Sequence, residues 1–111
     1  KRYGAGMRQV GIIAAAGHYA LDNHIPLLKR DHENAKKLAA ACGVAKPDTN
    51  IVALDVSGHE YHAQEFVAKL KEQGILAGAL GYDFVRLVTH MDLTDADVEK
   101  ACEILKRTFV A

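Results

Sequence analysis

Between Met7 and about Asn23 the apolar positions form no stripe. Val10, Ile12, Ile13, Ala14, Ala15, Ala16, Tyr19, Ala20 and Leu21 cover most of a helical circumference. A helix apolar nearly all round is expected to be buried, here at a domain or subunit boundary. Gly11 and Gly17 would let another backbone approach it. After a short break, Pro26 suits the first turn of a second helix. That helix runs to about Cys42, with Leu28, Ala35, Leu38, Ala39 and Cys42 on one stripe and Lys29, Arg30, Glu33, Lys36 and Lys37 opposite. Gly43 is placed to stop it, and Pro47 bars continuation.

From Thr49 the period shortens. Asn50–Val56 is rich in β-branched residues and reads as a strand closed by Ser57-Gly58. His59–Gln73 reads as a third helix with Ala63, Phe66, Val67 and Leu70 inward and Gly74 at its end. Ile75–Leu80 and Phe84–His90 follow as strands joined by a turn at Gly81-Tyr82-Asp83. Thr94 with Asp97 three residues on forms a capping-box variant. It opens a last helix whose buried stripe is Val98, Ala101, Cys102, Leu105 and Phe109.

A right-handed crossover makes the first two strands parallel, and the hairpin lets the third lie antiparallel between them. The expected fold is α+β: an N-terminal helical pair followed by a β-α-β-β-α small domain with a three-stranded sheet, helices covering one face. Residues 1–24 form an interface loop and buried helix, and residues 25–111 the small domain.

Composition narrows the function classes. Lys plus Arg and Asp plus Glu number 14 each, so no global field favours nucleic acid or anionic lipid. The longest apolar stretch, Val10–Ala16, is too short to span a bilayer, and no signal-peptide pattern is present. A cytoplasmic domain is expected, with no nucleic acid or membrane partner. Cys42 and Cys102 each fall on an apolar stripe outside any CxxC pair, and both are expected to be buried, reduced and unpaired. The chain opens on Lys1-Arg2-Tyr3 and soon enters a very apolar helix, which reads as a piece of a longer polypeptide.

Few residues carry chemistry by spacing alone. Arg86 lies in Phe84-Val85-Arg86-Leu87-Val88-Thr89-His90, the most apolar context of any arginine here. Its guanidinium must reach a carboxylate, a phosphate or a solvated sheet face, and spacing leaves these open. Arg8 follows Gly4-Ala5-Gly6-Met7 at a helix start, where loop, backbone amides and guanidinium suit an anion such as phosphate. Of six histidines, His59 and His62 stand three apart, but no third or fourth ligand is arranged around them, so no metal site is expected.

Four segments together go further. Gly4-Ala5-Gly6-Met7-Arg8-Gln9-Val10-Gly11 running to Ala14-Ala15-Ala16-Gly17 resembles the GGGMRQ-x-G-x-x-AAAG stretch of the low-specificity L-threonine aldolases. Asp31-His32-x-Asn34-Ala35 is similar to that family's DHxNA helix. Asp48-Thr49-Asn50-Ile51-Val52 matches its DTNIV strand start, and Val85-Arg86-Leu87-Val88-Thr89-His90-Met91-Asp92 its VRxVTHxD strand. The segments keep the family's order and spacing and cover almost the whole chain. Ala5 departs from the usual Gly and would stiffen the loop.

The resemblance implies a fold-type I pyridoxal 5'-phosphate enzyme whose cofactor lysine lies upstream, so no catalytic residue is expected within these residues. It implies that Arg86 holds the substrate α-carboxylate and that Lys1 and Arg8 reach an interface active site near the cofactor phosphate. Thr89 and His90 would support the Arg86 strand. The implied reaction is retro-aldol cleavage of L-threonine or L-allo-threonine to glycine and acetaldehyde, in threonine catabolism and glycine formation, by a homotetramer. Another fold-type I enzyme (an aminotransferase or β-eliminating lyase) and a non-catalytic association domain are the alternatives. The GAGMRQ and VTH segments count against the first of these.

Overall fold

The computed structural model describes residues 6–110. Helix α1 spans Val10–Asn23, a 3-10 turn spans Ile25–Leu27, and α2 spans Leu28–Cys42. Strand β1 (Ile51–Asp55), helix α3 (Ala63–Glu72), strands β2 (Gly78–Leu80) and β3 (Phe84–Val88) and helix α4 (Asp95–Leu105) follow, and α4 closes in a π-type turn over Lys106–Val110. The sheet order is β1-β3-β2, with β3 antiparallel to both neighbours, as the crossover and hairpin require.

Glycine decides where two helices stop. Gly43 (φ 68°) follows α2 and Gly74 (φ 88°) lies just past α3, both in the left-handed region. Each is followed by an apolar residue whose amide reaches back five positions: Val44 N donates to Ala39 O (3.1 Å) and Ile75 N to Leu70 O (2.9 Å). These are Schellman endings, and Val44 and Ile75 fold onto the core. The second ending explains why β2 is shorter than the expected Ile75–Leu80. With the Ile75 amide committed to the helix, pairing starts only at Gly78.

Capping also sets where helices begin. Thr94 accepts from Asp97 N (3.2 Å) while the Asp97 carboxylate accepts from Thr94 N (2.9 Å), the expected box. The Thr94 hydroxyl and backbone hold the Asp97 carboxyl below the usual carboxylate range. Helix α3 begins at Ala63 rather than His59, because His62 takes the cap position with Glu65 returning to its amide (3.2 Å). His59 therefore does not share a helix face with His62; it stacks on Phe109 with ring centroids 4.6 Å apart.

The core lies between one sheet face and α2, α3 and α4. Val52 and Leu54 from β1, Val85 and Leu87 from β3, and Phe66, Leu70, Val98 and Leu105 from the helices are buried. Each such side chain contributes roughly 1.5–3 kcal/mol relative to exposure. Leu28, assigned to the inner stripe of α2, is exposed because it stands in the first turn, beyond the sheet's reach. Cys42 and Cys102 are both free, and burial pushes the Cys42 thiol up to about 11. Cys102 is only half-buried, since the α4 stripe turns partly outward there and Ile104 takes an inner place instead.

Helix α1 has no buried residue. Ile12 is 75% exposed, Ile13 59% and Leu21 63%, so nothing within the described chain covers the apolar circumference. No helix among the described residues is long and apolar enough to cross a membrane.

Candidate functional site

Alternation along β3 sends Val85 and Leu87 into the core and Phe84, Arg86 and Val88 to the other sheet face. Among the described residues no helix covers that face. On it the strands form rows: Leu80, Phe84 and Asp55 in the first, Gly78, Arg86 and Ala53 in the second, Val88 and Ile51 in the third. Apart from Asp55 the flanking rows are apolar and half-exposed, with Phe84 at 47% and Leu80 at 45%.

Arg86 stands at the centre of this face without a counter-charge. Among the described residues no carboxylate lies within ion-pair reach of it, and its guanidinium makes no hydrogen bond. The one carboxylate on the same face, Asp55, is engaged elsewhere: the Ser57 hydroxyl and then its amide, which donates at 2.9 Å, hold its carboxyl below the usual range. An arginine left unpaired on an apolar surface is suited to a planar anion, which it grips through two parallel N–H bonds.

The strand carrying Arg86 is fastened just beyond its end by Thr89, which is fully buried. Its hydroxyl donates to Asp31 O (2.6 Å), its amide to Asn50 O (3.0 Å), and its carbonyl accepts from Asn50 Nδ2 (2.6 Å). One residue thus ties β3 to the start of α2 and to the chain entering β1. Asp31 and Asn34, of the DHxNA segment, are both buried on the inner side of α2, and Asn34 Nδ2 has no partner among the described residues. His90 is exposed and 3.5 Å from Asp92, so its place is a surface pair beside the strand end.

Arg8 is exposed in the turn before α1, which starts at Val10 rather than Met7. Gln9, at the cap position, takes φ 48° and offers no side-chain cap, and the third amide of α1, Ile12 N, donates to Gln9 O (3.2 Å). Among the described residues Arg8 makes no side-chain hydrogen bond or ion pair. Lys1 lies outside the described residues. No group of three His, Cys, Asp or Glu side chains stands together among them. Gly78 and Ala53 become neighbours of Arg86 only through the strand register, which the sequence pattern does not display. An isolated glycine inside an expected strand was the available signal.

Residues 1–63 match the beta-eliminating lyase family, and the chain belongs to that family. Over most of its length it is similar to low-specificity L-threonine aldolases. It is 40% identical to the one from Escherichia coli (strain K12) across 85% of this chain and 28% of the relative. With low-specificity L-threonine aldolase 1 of Arabidopsis thaliana it shares 35% across 88% of this chain and 30% of the relative. A probable low-specificity L-threonine aldolase of Schizosaccharomyces pombe is 32% identical across 97% and 28%. The chain therefore spans about a third or less of the length of these curated relatives.

Proposed function

We propose that this chain is the small C-terminal part of a cytoplasmic, pyridoxal 5'-phosphate-dependent low-specificity threonine aldolase, in which Arg86 binds the α-carboxylate of L-threonine or L-allo-threonine. The observation that carries this reading is the unpaired guanidinium on an uncovered apolar sheet face. The identity to named aldolases supports the reaction class. Arg86 fixes the carboxylate and excludes water from it through its apolar neighbours Phe84 and Val88. Each charge-assisted hydrogen bond there contributes roughly 1.5–3 kcal/mol.

The residues at hand fit part of the cofactor. Arg8, exposed at the start of a helix that has no side-chain cap, suits its phosphate, and the resemblance implies the same role for Lys1. Ring contacts and the cofactor lysine belong to residues upstream of this segment. When bound, the cofactor supplies an electron sink for the pair released as Cα–Cβ breaks, yielding glycine and acetaldehyde. Residues 1–24 serve as the interface loop and helix of a homotetramer, and residues 25–111 as the small domain; the apolar circumference of α1 supports that division. Neither nucleic acid nor membrane is a partner in this reading.

The test uses the full-length subunit. Arg86→Lys is expected to raise KM for threonine by about tenfold or more, and Arg86→Ala to remove nearly all cleavage, with cofactor absorbance intact in both. Near-normal activity in Arg86→Ala would sink the assignment. The family name favours one second reading, β-elimination. Threonine would then give 2-oxobutanoate and ammonia instead of glycine and acetaldehyde, which product analysis separates.

A further inference from the structure

Arg86 is bordered across both ladders by very small residues, Ala53 on β1 and Gly78 on β2. The two rows beside it carry Leu80, Phe84 and Asp55 on one flank and Val88 and Ile51 on the other. On the open sheet face the exposed Arg86 side chain therefore stands between two small residues, with larger side chains in the rows on either side. Glycine is a costly choice inside a strand, because it gives up backbone freedom and has no side chain to pack.

Two ordinary reasons for a strand glycine fail here. Gly78 is not among the residues with positive φ, so the backbone does not demand it. Crowding does not demand it either. A Cβ at Gly78 would meet Arg86 Nη2 at 3.8 Å and Nε at 3.9 Å, ordinary contact distances, with nothing nearer. A further reason is close approach of a ligand or of another backbone, and the unpaired Arg86 beside it favours the ligand. The two near-equal distances put the missing side chain against the Nε and Nη2 side of the guanidinium, the side that offers two parallel N–H bonds to a carboxylate.

We infer that Gly78 is a specificity-determining position: the absence of a side chain there keeps the Nε–Nη2 side of Arg86 open to the substrate carboxylate. The inference rests on the role proposed for Arg86 and adds the residue that gives access to it. A methyl at position 78 crowds that side of the guanidinium, and a branched side chain covers it from the β2 flank. The carboxylate would then be held through one N–H bond or displaced toward Ala53.

The experiment compares Gly78→Ala, Gly78→Val and Arg86→Ala in the full-length, cofactor-loaded subunit. It measures KM and kcat for threonine, inhibition by acetate as a bare carboxylate probe, and thermal melting. Gly78→Val is expected to raise KM and the acetate inhibition constant by about tenfold while kcat stays within about threefold, the pattern of lost uniform binding. Gly78→Ala falls between parent and Gly78→Val. Both variants are expected to melt no lower than the parent, since alanine and valine suit a strand better than glycine. A folded Gly78→Val enzyme with parental KM, beside an impaired Arg86→Ala, overturns the role of Gly78 and leaves Arg86 standing. Parental KM and activity in Arg86→Ala overturn the carboxylate site itself, and the inference with it. If Gly78→Val melts lower, the KM of Gly78→Ala decides in the same way.

Discussion

Replacing Thr89 by Val removes one hydroxyl from a fully buried position while nearly keeping the side chain's shape. The bond lost is Thr89 Oγ1 to Asp31 O, 2.6 Å long and excluded from water. A buried neutral hydrogen bond contributes about 0.5–1.5 kcal/mol net. The full cost of an orphaned acceptor does not apply, because the Asp31 carbonyl keeps the amide partner that its place in α2 gives it. Thr89→Val should therefore cost about 1 kcal/mol, or about 4 °C of melting temperature for a chain of this size. Thr89→Ser keeps the hydroxyl and loses a buried methyl, a transfer term of roughly 0.8 kcal/mol. Thr89→Ala loses both and should cost close to the sum, about 2 kcal/mol. Urea and thermal unfolding of the three variants measure this directly. A Thr89→Val protein as stable as the parent would refute the claim that the hydroxyl fastens β3 to α2.

Two further outcomes follow from the caps and from α1. Thr94→Ala should destabilise by about 1 kcal/mol at neutral pH through loss of the α4 cap. The Asp97 carboxyl is held low in the folded state, so its contribution is present above the ordinary carboxylate range and fades as pH falls through the lowered value. The gap between parent and Thr94→Ala should shrink from pH 7 to about pH 2.5, and a pH-independent gap would contradict the reciprocal cap. Ile12→Asp and Ile13→Asp alter side chains that are mostly exposed in this chain, so melting of the chain should change by less than about 0.5 kcal/mol. In the assembled subunit the same changes should lower the oligomeric state seen by sedimentation, and unchanged assembly would remove α1 from the interface.

Much of the fold was legible because its stops and pairings are local chemistry. Gly43 and Gly74 ended their helices where expected, and Thr94 with Asp97 announced α4. The strand order needed only the crossover rule and a three-residue turn. The failures share a cause, which is that a backbone group was claimed by a partner the pattern does not display. Ile75 belongs to the end of α3, and His62, an unusual capping residue, moves the start of that helix by four positions from His59. The site was half legible. Arg86 stood out as the arginine of an apolar strand, but its neighbours Gly78 and Ala53 become neighbours only when three strands are set in register. The apolar wheel of α1 predicts burial, and covering it needs surface that the described chain does not supply.

The central place of β3 also governs the order in which the domain can form. Among the described strands β1 has a single partner, and that partner is the last of the three in chain order. During synthesis β1 emerges about 30 residues ahead of β3, a delay of roughly 1.5–6 s at ordinary elongation rates. Throughout that interval Ile51–Asp55 is an unpaired segment with Val52 and Leu54 uncovered, able to associate with a neighbouring nascent chain. The β2–β3 hairpin, closed by a short turn, forms within microseconds once made, and β1 then docks along its free edge. Folding speed should thus follow the closure of the long loop through α3, so that variants stiffening Ser57–Tyr61 accelerate folding more than variants in the hairpin turn.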